Sequence, residues 1–346
     1  MTKLTRNLHI AEKIVFVDGF SGTGKSILGP VLGSLKDVEK QRIEHIFEYL
    51  CILDKLGKIE RDAAISLMRI YADLGLFNSM ISREVNMRLW DDSGLLNNPD
   101  SLKYVARLLL KDGDAVLKRT KDQCPILQIM SHQIFPGLEL AFSAYDNRLR
   151  VIEMVRHPLF LIDHWFSYIE RYGKDSREFS LWIDFGGKTL PWFSCGWEEE
   201  FVEMKTMDKV VHSIRWLQER TDEVYHGLKE PQTHQIMFVP FEKFVTDPWP
   251  LIEQLETFVG SKRTRATGTA LRKQKCPREH LMAGRGHKHY GWSKADSKKD
   301  DFEWVKEKRR FVENNASTET VKIFDELCED YERTYKVTIT GAIAQK

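Results

Sequence analysis

The eight residues from Gly19 to Ser26 are GFSGTGKS, and they fit the pattern G-x-x-x-x-G-K-[ST] at every fixed position. In such a turn the glycines let successive backbone N–H groups point inward, and the helix that follows adds its positive N-terminal end. Lys25 adds a full positive charge, and Ser26 adds a hydroxyl suited to an oxygen atom or a Mg²⁺ ion. The segment predicts a phosphate-binding loop but does not specify the nucleotide.

A site that binds a nucleotide with Mg²⁺ usually has an acidic residue at the end of a neighbouring strand. The apolar run from Val151 to Val155 is instead followed by a basic residue, Arg156, and Glu153 lies inside the run. The segment LWID ends in Asp184 but lies in an aromatic stretch outside the predicted strand order. The sequence therefore supports the phosphate-binding residues of such a site better than its metal ligands.

Four apolar runs predict the strands that position these residues, within 13–19, 124–132, 148–158 and 234–244. Helical segments separate the runs, and this alternation predicts an α/β fold with a mainly parallel central sheet flanked by helices. Residues 37–120 have mostly helical patterns and predict a large helical insertion in a single domain that spans residues 1–346. Ligands are expected at the carboxyl ends of the strands.

The composition restricts the function classes. The chain has 346 residues, with 52 basic and 51 acidic side chains, which argues against a nucleic-acid or anionic-membrane partner. No apolar run approaches the roughly 18–20 residues that span a bilayer, and the N-terminal residues lack the apolar core of a signal peptide. The five scattered cysteines predict reduced thiols in a cytoplasmic protein and no metal site.

With an arginine at the end of a buried strand downstream of a phosphate loop, the sequence resembles the sulfotransferase family. Members of this family have a P-loop, three-layer α/β fold and use 3'-phosphoadenosine-5'-phosphosulfate (PAPS) as sulfuryl donor. Four segments carry the resemblance, between about residues 14 and 295, and the helical insertion is not covered. The resemblance implies a PAPS-dependent transferase.

The first segment, VDGFSGTGKSILGPVLGSL, resembles the family's 5'-phosphosulfate loop. Phe20 stands where the family usually has a basic residue, and Lys25 would supply that charge from the other end of the loop. The turn also resembles the loop of adenylyl-sulfate kinases. By resemblance, the residues that hold the 5'-phosphosulfate are Ser21, Gly22, Thr23, Gly24, Lys25 and Ser26, with Lys25 also a catalytic candidate.

The second segment, ILQIMSHQIFP, resembles a strand that ends at the family's general base, and His132 occupies that position. An ordinary strand-end histidine bonded to the backbone is an equal alternative. The third, VIEMVRHPLFLIDHW, resembles the 3'-phosphate strand and helix, with Arg156 as the phosphate ligand. His164 stands where the family has a serine and is a further candidate ligand of the 3'-phosphate. A structural ion pair is the alternative for Arg156.

The fourth segment, residues 236–260, resembles a late strand–helix unit and bears on the fold more than on chemistry. Beyond it, residues 261–299 are strongly basic and contain AGRGHKHYGW, which resembles the family's loop over the 3'-phosphate. Arg285, Gly286 and Lys288 are the candidate ligands there. A solvated charged loop and a nucleic-acid patch are the alternatives.

Three hypotheses follow. In the first, a sulfotransferase moves the sulfuryl group of PAPS to a hydroxyl or amine, with His132 as general base and no metal. In the second, a kinase or NTPase uses ATP with Mg²⁺ through Lys25 and Ser26. In the third, the basic stretch binds nucleic acid or a partner. The sequence specifies neither the acceptor nor the oligomeric state.

Overall fold

A computed structural model describes residues 2–89, 91, 93–282 and 300–339 of the chain. The strands are β1 (Lys13–Asp18), β2 (Arg42–Ile43), β3 (Ile126–Met130), β4 (Leu149–Val155), β5 (Trp182–Phe185), β6 (Lys188–Pro191) and β7 (Ile236–Pro240). The helices are α1 (Lys25–Leu32), α2 (His45–Lys55), α3 (Arg61–Met80), α4 (Ser101–Arg107), α5 (Asp114–Gln123), α6 (Leu138–Tyr145), α7 (Ile162–Arg171), α8 (Glu198–Glu203), α9 (Thr206–Gly227), α10 (Phe241–Thr246), α11 (Pro248–Val259), α12 (Arg265–Lys273), α13 (Asp301–Asn315) and α14 (Thr318–Tyr335). Among these described helices, each is too short or too polar to cross a membrane.

The predicted α/β fold is confirmed. Within the described residues, five strands form a parallel sheet in the order β2-β3-β1-β4-β7. Four of these strands lie in the four predicted runs. The fifth, β2, was not predicted, because two residues are too short to show an alternating pattern; its Arg42 pairs with Ile129 of β3. Strands β5 and β6 form a separate antiparallel hairpin.

The two faces of β1 bury different helices. Ile14 and Phe16 face a core formed with α2, α3 and α6, whereas Val15 and Val17 face a core formed with α1, α11 and α12. This alternation is the ordinary period of a strand, in which successive side chains point to opposite faces. The sheet is therefore covered on both sides, as expected for parallel strands.

The segment 37–120 contains β2 as well as α2 to α4 and most of α5, so it adds an edge strand besides the predicted helices. It packs against the sheet through buried residues such as Phe47, Met68 and Leu76. The ring of Phe47 meets the ring of Phe16 edge to face, with centroids 5.3 Å apart. The segment thus completes one of the two cores. The assignment of residues 1–346 to one domain stays a prediction.

The residues at the ends of α11 match the predicted start and stop signals. The helix begins at Pro248, whose missing N–H is not needed in a first turn, and ends before Gly260, which has φ +66°. Asp247 occupies the predicted capping position, but its side chain makes no capping hydrogen bond. Backbone preferences therefore set these ends without a side-chain cap.

Phe47→Ala tests whether the 37–120 segment is part of the sheet's core. Phe47 is 2% exposed, so its removal should lower the free energy of unfolding by about 3–5 kcal/mol. Urea denaturation followed by circular dichroism measures this change. Leu109→Ala is the control: Leu109 is 89% exposed, so the change should stay within about 0.5 kcal/mol. A loss below about 1 kcal/mol for Phe47→Ala would contradict the assignment.

Candidate active site

The carboxyl ends of the parallel strands meet at one edge of the sheet and carry the candidate site. The residues that follow them, in sheet order from β2 to β7, are His45 and Glu48, then His132, the loop 19–26, Arg156 and Phe241. Because neighbouring strands lie about 4.8 Å apart, five strand ends place these groups along one line. The loop 19–26 lies at the centre of that line, because β1 is the central strand.

The loop has a backbone that its glycines make possible. Gly19 has φ +133°, and a Cβ there would lie 2.2 Å from the carbonyl oxygen of Met154. Gly24 has φ +95°, and a Cβ there would lie 2.5 Å from the ring of Phe241. Helix α1 starts directly after Gly24, and its hydrogen bonds begin with the Ile27 N–H on the Gly24 carbonyl, so the N–H groups of Lys25 and Ser26 precede them. The loop and this helix end can together bind an anion.

Lys25 lies beneath the loop and not over it. Its side chain is buried, and its ammonium donates to the carbonyl oxygens of Gly19 and, at 2.8 Å, of Phe20. Burial lowers the pKa of Lys25 to about 8, against the opposing charges of Asp18 and Glu153. This lysine therefore supports the loop from below. Its assignment as a ligand of the donor sulfate stays a prediction.

Asp18, the last residue of β1, connects the loop to the segment after β3. Its buried carboxylate accepts hydrogen bonds from the Ser131 hydroxyl and the Ile134 backbone N–H, both at 2.9 Å. Between these residues Gln133 has φ +57°, a left-handed conformation that turns the chain back towards Asp18. Burial raises the pKa of Asp18 to about 6, although Lys25 opposes the shift. This turn holds His132 beside the loop.

His132 has a side chain that is 30% exposed, and its backbone N–H donates to Glu48 Oε2 at 2.9 Å. Its Nδ1 lies 3.4 Å from the same oxygen. Desolvation lowers the pKa of His132, and the charge of Lys25 lowers it further, while Glu48 opposes both effects. The imidazole is therefore neutral near pH 7 and able to accept a proton.

Helix α7 covers the loop from one side. His164 Nε2 lies 2.6 Å from the Ser21 hydroxyl, and the indole N–H of Trp165 donates to the Ser21 carbonyl at 3.0 Å. Burial lowers the pKa of His164 to about 4, with added repulsion from Lys25 and Arg156. His164 is thus neutral near pH 7, and its Nε2 shares a hydrogen bond with the Ser21 hydroxyl.

Arg156 lies directly after β4 and contacts the loop, in a cluster with Phe241 and Arg278. Its guanidinium donates to the Gly22 carbonyl at 2.8 Å and lies 4.2 Å from the Phe241 ring centroid. Arg278 lies 5.6 Å from the same centroid. Burial lowers the pKa of Arg156 to about 10, and repulsion from Arg278 contributes. Arg156 Nε is buried and has no hydrogen-bond partner among the described residues. The guanidinium of Arg278 instead donates to the backbone carbonyls of residues 274, 275 and 281. Two desolvated cations, one with an unused donor at Arg156 Nε, favour an anion here.

Comparisons with known proteins concern the fold. No protein-family model matches the chain, and no curated protein matches its sequence. The chain is similar to solved sulfotransferases. The sulfotransferase domain of the Synechococcus PCC 7002 olefin synthase is 12% identical, over 94% of this chain and 98% of that one, with a TM-score of 0.45. The sulfotransferase domain of the curacin biosynthetic pathway is 13% identical over 93% and 98%, with a TM-score of 0.44. A mouse sulfotransferase complexed with PAP is 12% identical over 93% and 85%, with a TM-score of 0.39.

The structure brings most of the sequence-predicted site residues together at this edge. Thr23 uses its hydroxyl within the loop, where it donates to the Phe20 carbonyl at 2.8 Å. Asp184 lies in the β5–β6 hairpin and not at an end of the parallel sheet. The predicted ligands in the later basic loop lie outside the described residues; they are Arg285, Gly286 and Lys288.

Sequence reasoning missed three side chains that shape the site: Asp18, Glu48 and Arg278. Asp18 ends the apolar run VFVD directly before the loop, a signal that was present in the sequence. Glu48 sits in an amphipathic helix, and Arg278 is one of many basic residues in its stretch. Neither has a sequence pattern that distinguishes it from a solvent-facing charge.

His164→Gln tests the environment of His164. Since its pKa falls from 6.5 to about 4 on folding, the unfolded state binds more protons between these values. The wild type should lose about 1–3 kcal/mol of stability from this group as the pH falls from 6.5 towards 4. Urea unfolding at pH 7.5 and pH 5 should show a smaller loss for His164→Gln. The control His234→Gln removes a side chain that is 73% exposed and should retain the wild-type loss. Equal losses in both variants would contradict this environment.

Proposed function

We propose that the protein is a PAPS-dependent sulfotransferase that transfers the sulfuryl group to a hydroxyl or amine of an acceptor. The observation that carries the proposal is the placement of three groups in sheet order: His132 after β3, the anion loop after β1 and Arg156 after β4. PAPS carries a phosphosulfate at one end and a phosphate at the other. The loop would bind the phosphosulfate, and the cations on one side of the loop would bind the phosphate. The base then lies on the opposite side.

The loop would hold the 5'-phosphosulfate through the backbone N–H groups of residues 21–26. Backbone dipoles and the positive N-terminal end of α1 would balance the negative charge of the phosphosulfate. Lys25 lies beneath the loop and is 4% exposed. Arg156 and Arg278 would bind the 3'-phosphate, for which a planar guanidinium offers two parallel donors. The motif resemblance at 14–35 and 151–165 supports the same assignment.

His132 would act as the general base. Its neutral imidazole would take the proton of the acceptor hydroxyl or amine while the acceptor atom attacks sulfur in line with the leaving phosphate oxygen. The new bond to sulfur forms as the sulfur–oxygen bond to the 5'-phosphate breaks. Adenosine 3',5'-bisphosphate leaves, and its developing negative charge is stabilised by the loop's N–H groups.

The rival function is a kinase or NTPase that uses ATP with Mg²⁺, because the loop fits the triphosphate pattern. In that function the lysine of the loop contacts the β- and γ-phosphates. Here the ammonium of Lys25 is bonded to the carbonyls of Gly19 and Phe20. The neighbouring carboxyl of Glu153 has its pKa raised well above the usual range by burial, which disfavours the ionised form that binds a metal. The contacts of Lys25 weigh equally against this lysine as a ligand of a triphosphate and of a donor sulfate. The raised pKa of Glu153 favours a function that needs no Mg²⁺, which is the sulfotransferase.

Calorimetric titration separates the two functions. Adenosine 3',5'-bisphosphate should bind without Mg²⁺ and more tightly than ATP. Arg156→Gln should weaken that binding about 30-fold or more, because a buried charge pair is lost. Arg150→Gln, at the other end of β4 with its guanidinium on backbone carbonyls, should bind like the wild type. Binding of ATP that requires Mg²⁺, with indifference to the bisphosphate, would overturn the proposal.

His132→Ala tests the base. The variant should lose turnover by about 10²-fold or more, since general base catalysis typically contributes this much. Its affinity for adenosine 3',5'-bisphosphate should stay within about twofold of the wild type, because the loop and Arg156 are unchanged. A sulfation assay with PAPS and a panel of phenols, alcohols and amines, paired with calorimetry, measures both quantities. Retained turnover would remove His132 from the mechanism.

A further inference from the structure

We propose that Glu48 is a positioning residue that orients His132 and holds its proton on Nδ1, which leaves Nε2 as the atom that accepts the proton from the acceptor. This inference rests on the proposed function. It assigns a role to a side chain on α2, the helix that follows the edge strand β2. No motif in the sequence pointed to this residue.

The carboxylate of Glu48 is placed to fix His132 at two points. Its side chain is only 8% exposed, and Oε2 accepts the backbone N–H of His132 at 2.9 Å while lying 3.4 Å from Nδ1 of the same residue. An ionised carboxylate has acceptors only, so the nitrogen that faces it must carry the hydrogen. The neutral imidazole that results has its lone pair on Nε2.

His45 occupies the other oxygen of this carboxylate. Its Nδ1 lies 3.3 Å from Glu48 Oε1, and its ring stacks on the His132 ring with a centroid distance of 5.7 Å and an interplanar angle of 16°. The two rings therefore share one carboxylate, which restricts rotation of both. Hydrogen bonding to Glu48 raises the pKa of His45, so a charged His45 would balance the negative charge of Glu48.

Charged groups from several elements surround His132. Lys25 of α1 and His45 of α2 lower its pKa, whereas Glu48 raises it. His164 of α7 is also within electrostatic range, and Asp18 of β1 lies against Lys25. Although burial alone would raise the pKa of Glu48, hydrogen bonds from His132 and His45 bring it to about 2. Glu48 is thus ionised across the pH range in which His132 titrates.

The same three side chains could instead hold a transition metal. Their ligand atoms all lie within 4.8 Å of one another, and two histidines with one carboxylate are a common donor set. The backbone N–H of His132 already donates to Glu48 Oε2, which favours a hydrogen-bonded arrangement. A metal is therefore one of the outcomes that the experiment must distinguish.

Glu48→Gln removes the charge and keeps the shape. The variant should lower kcat by about 10²-fold with PAPS and a phenol or amine acceptor, while KM for PAPS changes less than threefold. Because Glu48 raises the pKa of His132, its removal should shift the acid limb of the kcat–pH profile to lower pH. Glu48→Asp, which keeps the charge, should recover part of kcat. A merely structural role would lower kcat without moving the pH profile.

Glu44→Gln is the matched control. Glu44 lies at the start of the same helix but pairs with Arg42, so both kcat and the pH profile should match the wild type. Thermal melting should show whether each variant is folded. If Glu48→Gln does not fold, Glu48→Asp and the spectroscopic measurement on the wild type decide the inference.

Histidine ¹⁵N NMR on the free protein gives a readout that does not depend on turnover. The His132 signals, assigned by their loss in His132→Gln, should show a neutral ring protonated on Nδ1. A ring protonated on Nε2 would overturn the inference even if the protein is a sulfotransferase. Absence of PAPS turnover with an Nδ1-protonated ring would overturn the proposed function while the Glu48–His132 contact stands. Stoichiometric Zn²⁺ or Co²⁺ that restores activity after chelation would show a metal centre and would also overturn the inference.

Discussion

The carboxylate of Asp18 is the contact on which the candidate site depends. It ends β1 and is close enough to Lys25, beneath the loop, for their charges to interact. It also accepts hydrogen bonds from Ser131 and Ile134, on either side of His132 in the chain. A buried carboxylate is unfavourable unless its oxygens accept hydrogen bonds. Breaking either bond would leave a buried oxygen without a donor, so Ser131 and Ile134 are held in place. The loop and the candidate base are therefore positioned by the same buried group.

The parallel sheet turns this local contact into a site with two sides. Because every strand of the sheet ends at the same edge, the residues after β2 and β3 lie on one side of the loop and those after β4 and β7 on the other. His132 and Glu48 belong to the first side, and Arg156 to the second. A nucleotide whose far phosphate meets the arginine would present its reacting end near the histidine, which is the spatial basis of the proposed reaction.

Burial gives the basic side chains of the site different protonation states. Desolvation lowers the pKa of His132, and of His164 to about 4, which keeps both rings neutral near pH 7. Arg156 stays charged, because its pKa of about 10 is still well above neutrality. Desolvation thus keeps His132 and His164 neutral, while Arg156 remains positively charged despite it. The arginine then attracts an anion more strongly than it would in water.

The sequence by itself determined the α/β class, the four longer strands, the glycine-rich turn at residues 19–26 and the strand ends before His132 and Arg156. These follow from local chemistry: apolar alternation, glycine backbone freedom and residues directly after a strand. Only the tertiary structure decided that Lys25 lies under the loop, that β2 brings Glu48 to His132, and that Arg278 joins Arg156 at Phe241. These partners are separated by 84 residues for Glu48 and His132 and by 122 residues for the two arginines. Contacts over such distances leave no local pattern, because they are set by the order in which the strands pair and by the burial that follows.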